Sequence, residues 1–317
     1  MNETSDERND PRVERLLALP PLTVDTERAL GGIRRRLPAQ RGFALPLGLF
    51  RVLSATAATI VVAGVLTIGG VADSFLHIFE PRAFVAISIS PGDLTALPDL
   101  SGYGTVTWDA KPSPRAVTSV AAAAAEAGFT PARPASLPAG TKAEPTVAVL
   151  SRTSGTFTFE ANAARQSAAR VNRTPPPLPA GMDGAMLRGT VGAGVVQTFT
   201  GASATEVVVV AQLRTPTLEA DGVTLDQLRT YRLAQPGISP QLAAQLRAIA
   251  DPASTLPVPV PAGQTSRQVR VQGVEGLFVG DSTGLGSGVI WRKGDFVYAV
   301  GGPLTEAQVL TIANSLR

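Results

Sequence analysis

The longest apolar run of the chain covers residues 52–72, twenty-one positions without a charge. Leu, Val, Ile and Ala dominate it, and Ser54, Thr56, Thr59 and Thr67 are its polar members. As a helix rising 1.5 Å per residue it is about 30 Å long, one hydrocarbon thickness. A soluble helix of that length carries a polar stripe and this run has none, which disfavours a buried core helix. Gly70-Val71-Ala72 ahead of Asp73 has the small-x-Ala form of a signal cleavage site. However, the run starts far into the chain and exceeds the ~7–15-residue core of a signal peptide. The pattern predicts a retained single transmembrane helix.

The flanks orient it. Arg34, Arg35, Arg36, Arg41 and Arg51 precede the run with no acid among them, whereas Asp73 and Glu80 follow it. Positive charge stays inside, so the N-terminus is expected in the cytoplasm and everything after about residue 73 outside. The arginines need no nucleic acid to explain them, because each basic residue near an anionic leaflet is worth ~1 kcal/mol. Ala55, Thr59, Ala63 and Thr67 recur every four residues and form a small-residue face suited to weak self-association of the helix.

The division that follows is a short cytoplasmic segment (residues 1–44), a membrane-proximal and transmembrane part (45–75), an extracytoplasmic linker with first strands (76–112) and an extracytoplasmic domain (113–317). The cytoplasmic segment holds two weak amphipathic helices, near 10–19 and 25–37. Two such helices cannot bury a core alone and call for a partner, the membrane surface or disorder.

Past the span the period changes. "FVAISIS" (84–90) alternates as a strand does, and "SGYGTVTW" (101–108) reads as a turn and a short strand. "SPRAVTSVAAAAAEAG" (113–128) reads as a helix with Ser113 as N-cap, Pro114 first and Gly128 as stop. Short β-branched runs follow at 146–150, 155–160, 185–192, 195–200 and 206–213, with a helix at 161–172 and a proline loop between the second and third. Thr224 with Gln227 forms a capping box, and Ser239-Pro240 opens another helix. "TLPVPVPAG" places Pro257, Pro259 and Pro261 in alternation, which removes ladder donors and suits a sheet edge. Lys293-Gly294-Asp295 joins two apolar strands as a hairpin, and Thr305 with Gln308 caps a closing helix whose Val309, Ile312, Ala313 and Leu316 share a face. The expectation is an α+β fold: an antiparallel, half-barrel-like sheet with helices on one side.

Composition narrows the chemistry. There is no Cys among the 317 residues, so disulfides and thiolate metal sites are excluded, and His77 is the single His. His77 falls just past the span, where an interfacial polar anchor explains it better than a catalytic role. Scarce aromatics argue against stacking platforms for bases. "GDSTGLGSG" (280–288) lacks the Lys-Ser/Thr ending and the following helix of a phosphate loop. No catalytic residue, cofactor or metal site is expected. Trp108 and Trp291 read first as core anchors and, in a half-barrel, as walls of an apolar groove.

One resemblance is carried by "VQGVEGLFVGD…GSGVIWRKGDFVYAVGGPLTEAQVLTIANSL" at the C-terminus and by "AAAAAEAGFTPARPASLPAG" at 121–140. Together they bracket a region with an insertion near 220–262. This pattern resembles an uncharacterised bacterial extracytoplasmic domain family that sits behind one transmembrane helix in anti-sigma-factor-like and other regulators, similar in outline to lipoprotein-carrier half-barrels. The resemblance implies a sensor or binding domain that reports to a sigma factor or other cytoplasmic regulator through residues 1–40. The alternative is an anchored carrier for lipids or lipoproteins, with an apolar ligand or an envelope protein as partner outside. Zinc-type anti-sigma segments carry a His-x3-Cys-x2-Cys motif, and the cytoplasmic part here has neither residue type.

Overall fold

A computed structural model describes residues 76–317, apart from 91–92, 94–101, 171, 173, 202–205, 236–237, 282 and 285. The predicted span at 52–72, the arginines at 34–51 and the face formed by Ala55, Thr59, Ala63 and Thr67 lie outside the described residues. Among the described residues no helix is long and apolar enough to cross a membrane.

The architecture is α+β and mostly antiparallel. In chain order the strands are β1 (Leu76–Phe79), β2 (Ala83–Ile89), β3 (Gly104–Trp108), β4 (Arg115–Val117), β5 (Thr146–Leu150), β6 (Thr153–Phe159), β7 (Met186–Val191), β8 (Gly194–Thr200), β9 (Val207–Arg214), β10 (Thr217–Asp221), β11 (Thr255–Pro261), β12 (Thr265–Val271), β13 (Val274–Gly280), β14 (Ser287–Lys293) and β15 (Phe296–Gly302). The helices are α1 (Val120–Ala127), α2 (Ala161–Arg170), α3 (Leu225–Leu233), α4 (Pro240–Arg247) and α5 (Glu306–Ser315).

Two antiparallel sheets share a corner. The eight-stranded sheet runs β12-β13-β14-β15-β9-β8-β5-β4, the five-stranded sheet runs β1-β10-β7-β6-β3, and neither closes into a barrel. The neighbours β9-β8-β5 continue, after breaks of two residues each, into β10-β7-β6. Three adjacent chains therefore bend together from one sheet into the other, the usual way for strands to turn between sheets. At the bend the Arg214 N–H donates to the Ala193 carbonyl at 2.9 Å. Gly192 is needed there, because a Cβ would come within 2.6 Å of the Arg214 Cβ and carbonyl oxygen. Leu150, Val191 and Leu213, one from each chain, fill the corner.

Both α1 and α5 cover one face of the larger sheet. Val309, Ile312, Ala313 and Leu316 of the C-terminal helical segment pack on Val289, Trp291 and Val300, whereas Ala123 and Ala127 of α1 pack on Val147, Val149 and Val195. Burying one such Val, Ile or Leu is worth ~1.5–3 kcal/mol. Capping boxes at Thr224/Gln227 and Thr305/Gln308 are formed as the spacing predicts. The helix read from Ser113 begins later. Arg115–Val117 instead extends the sheet beside β5, and Ser119 takes the cap, its Oγ accepting from the Ala122 N–H. Two Ser residues compete for one cap here, and pairing with the open edge of β5 settles which one wins.

The opposite face of the larger sheet carries a second layer. The strands β2 and β11 pair in parallel, and their Phe84, Val258 and Val260 pack on Leu277, Val279, Ile290 and Val297. The other side of β2, through Ile87 and Ile89, receives Leu242 of α4. In β11 the alternate prolines leave their missing donors on one edge, so no further strand can add there. Part of the stretch 76–112, read as linker and first strands, is thus woven into two of the three sheets: β1 and β3 form the two edges of the five-stranded sheet, against β10 and β6, and β2 pairs with β11.

The two segments that carried the sequence resemblance meet in space. Pro134 bridges to Leu316, and Arg133 and Arg317 exchange backbone hydrogen bonds of 2.9 and 3.1 Å. Beneath them Gln197 and Gln212, both buried on neighbouring strands, grip one residue. The Gln212 Oε1 accepts from the Ala132 N–H and the Gln197 Nε2 donates to the Ala132 carbonyl, each at 2.8 Å.

Candidate functional site

The inner face of the smaller sheet is packed by α2 and α3. Phe157 and Phe159 of β6, Leu187 of β7 and Leu218 and Ala220 of β10 meet Ala161 and Ala164 of α2 and Tyr231 of α3. Tyr231 stands edge-on to Phe159 with ring centroids 5.5 Å apart. Burial pushes the Tyr231 phenol up from its ordinary range. Toward the corner, Leu187 is succeeded on the same face of β7 by Gly189, which supplies no side chain, and the filled core gives way to a cleft.

This cleft holds about 330 Å³, at the small end of ordinary ligand sites. Its floor is Gly189, Pro216, Thr217 and Leu218, with Phe79 of β1 beside them. One wall is α3, through Leu225, Arg229, Arg232 and Leu233. These positions are spaced i, i+4, i+7 and i+8, a single helical stripe. The other wall is the end of α4 and the start of β11, through Leu246, Ile249, Pro252, Leu256 and Pro257. The segment 220–262, read from the sequence as an insertion, supplies both walls.

Two cations are set into this apolar lining. The Arg229 guanidinium donates to the Leu246 carbonyl at 3.0 Å and also to the Arg247 carbonyl, tying α3 to the C-terminal end of α4. Those carbonyls lie in the last turn of α4, at the negative end of the helix dipole, so a cation suits them. The Arg232 guanidinium lies over the Tyr103 ring, 5.6 Å from its centroid. Burial pulls Arg232 down from the ordinary arginine range, against an opposing effect of Tyr103. Among the described residues no carboxylate lines the cleft. The chemistry on offer is apolar contact plus positive charge. Among the described residues no group of His, Asp and Glu is placed to hold a metal ion.

The tryptophans, read first as core anchors and second as walls of a groove, lie away from this cleft. Trp291 is fully buried beneath α5, stacked on Tyr298 at 5.4 Å, and its indole N–H has no hydrogen-bond partner. Trp108 ends β3 in the other sheet and lies flat on Gly155, where a Cβ would come within 2.5 Å of the ring. Each fills a space that its own sheet creates, and neither lines the cleft. His77 is half-exposed on β1, 3.9 Å from Glu80, and Glu80 also pairs with Arg292. In the segment read against a phosphate loop, Gly280 pairs with Ser287 across adjacent antiparallel strands, and Asp281 accepts from the Thr283 N–H at 3.0 Å.

Reading the sequence missed Arg229 and Arg232. The signal was present, since both share a stripe with Leu225 and Leu233, but a polar residue on an apolar stripe is easily assigned to the solvent side. No family model matches this chain, and no curated protein or solved structure matches it either.

Proposed function

We propose that this chain is a single-pass membrane protein whose extracytoplasmic α+β domain binds a small apolar ligand in the cleft between α3, α4 and the sheet corner. The observation that carries the reading is the cleft itself: a cavity of about 330 Å³ with an aliphatic and proline lining. The apolar run at 52–72 and the arginines before it support the anchor and its orientation. Edge strand β1 begins a few residues past that run, and its Phe79 borders the cleft, so the site stands close to the anchor along the chain.

Binding is tested by titrating the full chain in lipid nanodiscs with an environment-sensitive apolar dye, against empty nanodiscs as the blank. Saturable binding that Leu218→Trp abolishes supports the reading, and binding unaffected by Leu218→Trp removes it. The absence of Cys makes topology simple to test with a membrane-impermeant maleimide. Lys111→Cys is expected to react in intact cells and Asn2→Cys only after permeabilisation. Transmission to a sigma factor or other regulator through residues 1–40 is the sensor form of the proposal, and deletion of residues 2–30 would then change transcription. Unchanged transcription leaves an anchored carrier.

A further inference from the structure

We infer that Arg229 sets the width of the cleft and so restricts it to slim, unbranched aliphatic chains. This rests on the reading of the cleft as a ligand site and adds the shape of the ligand and the residue that selects it. The cleft has α3 on one side and the end of α4 with the start of β11 on the other. Arg229 leaves the first wall and ends on the second: its guanidinium donates to the Leu246 carbonyl at 3.0 Å and to that of Arg247. The separation of the walls at that level is therefore the reach of one arginine side chain. A guanidinium is a planar fork with fixed donor directions, so two acceptors hold it in one orientation as well as at one distance. Both acceptors are backbone atoms, and no part of the tie needs a charge on the ligand.

The other boundaries have little freedom to yield. The floor strands β7 and β10 pair along their length, with Leu218 opposite Gly189, and β11 pairs with β2 residue for residue. Pro216, Pro252 and Pro257 fix φ where they line the space. The α3 wall is anchored by Tyr231, buried against Phe159. That leaves α4, a helix of 8 residues. One side of it is fixed to β2: the Gln245 side-chain amide exchanges hydrogen bonds of 2.7 and 3.0 Å with the Ser88 backbone, and Leu242 packs on Ile87 and Ile89. Toward the cleft, the hydrogen bonds from Arg229 hold its last turn. A branched body enters only by pushing that turn away from α3, against those bonds. A linear chain needs no such movement.

The test uses the full chain in nanodiscs, with empty nanodiscs subtracting partition into lipid. Octanol and its branched isomer 2-propylpentanol compete for the bound dye; the two have the same atoms and differ in shape. Octanol is expected to bind about tenfold tighter, the scale on which an apolar pocket discriminates by one methylene. Arg229→Met, which keeps the apolar stem and loses the tie, is expected to remove most of that gap, chiefly by improving the isomer. Arg229→Lys, which keeps a donor for one carbonyl, is expected to fall between. If Arg229→Met does not fold, the Lys variant carries the same comparison. Equal or tighter binding of the branched isomer by the parent chain overturns this inference and leaves the cleft reading standing. Failure of both alcohols to compete overturns both. A gap unchanged in the Arg229 variants, or both alcohols weakened by the same factor, gives Arg229 no part in selection and also overturns it.

Discussion

Gln212→Leu and Gln197→Leu remove opposite halves of the same clamp and are expected to differ in cost. The Gln212 Oε1 accepts the Ala132 N–H, and its Nε2 reaches the Tyr298 hydroxyl at 3.4 Å. Leucine of similar size leaves the Ala132 donor facing an apolar wall. Stranding such a group costs ~1–3 kcal/mol. Gln197 also strands a group when replaced, the Ala132 carbonyl. Yet its own Oε1 is buried without a partner in the native fold. Leucine removes that orphan, which offsets the loss, so Gln197→Leu is expected to fall within about 1 kcal/mol of the parent. Because both act on Ala132, the double variant is not additive. The measurement is urea unfolding followed by tryptophan fluorescence, with the slope checked for constancy. A cost for Gln197→Leu equal to or above that of Gln212→Leu would refute the assignment of the two amides.

Three further outcomes follow from the same geometry. Arg229→Met keeps the apolar stem but releases the α4 carbonyls, so faster hydrogen exchange is expected in α4 with little change in α5, and unchanged α4 protection would contradict the tie. Ile312→Ala empties the centre of the α5 core, where Ile312 is 2% exposed, and is expected to cost ~2–5 kcal/mol in the unfolding free energy. Acid should loosen the layer formed by β2, β11 and α4. Asp93 is held below the ordinary carboxylate range chiefly by hydrogen bonds from Ser90, and Asp251 chiefly by one from Ser254. A depressed folded pKa gives stability that is present above the unfolded value and is lost as pH falls through the folded one. Amide exchange around residues 83–93 and 251–255 should therefore rise below the ordinary aspartate range, and Asp93→Asn should weaken that pH dependence.

Local signals read from the sequence were the ones with short reach. Both capping boxes, the Gly128 stop and the Lys293-Gly294-Asp295 hairpin are set within a few residues, and each appears as expected. The strands at 146–150, 185–192 and 206–213 were visible as β-branched runs. Their continuation around a common corner was not, because strand register and sheet assignment are decided by partners far along the chain. The same cause moved the start of α1: Ser113 and Ser119 look alike locally, and the edge of β5 chooses between them. The site was less legible than the fold. Trp108 and Trp291 drew attention as large aromatics, but size favours burial and each is committed to its own sheet. The cleft is lined instead by ordinary Leu and Pro residues that meet only when β7, β10, α3, α4 and β11 are assembled.

A ligand seated between α3, α4 and the sheet corner would change the surroundings of the side chains that line that space. Methyl-resolved NMR of the full chain in nanodiscs, titrated with octanol, detects that change most directly. Saturable shifts are predicted for methyl groups of Leu218, Leu225, Leu233, Leu246 and Ile249, while Val289, Val309 and Ile312 beneath α5 stay still. Cleft methyls that do not move, or shifts of equal size in the α5 core, would contradict the account.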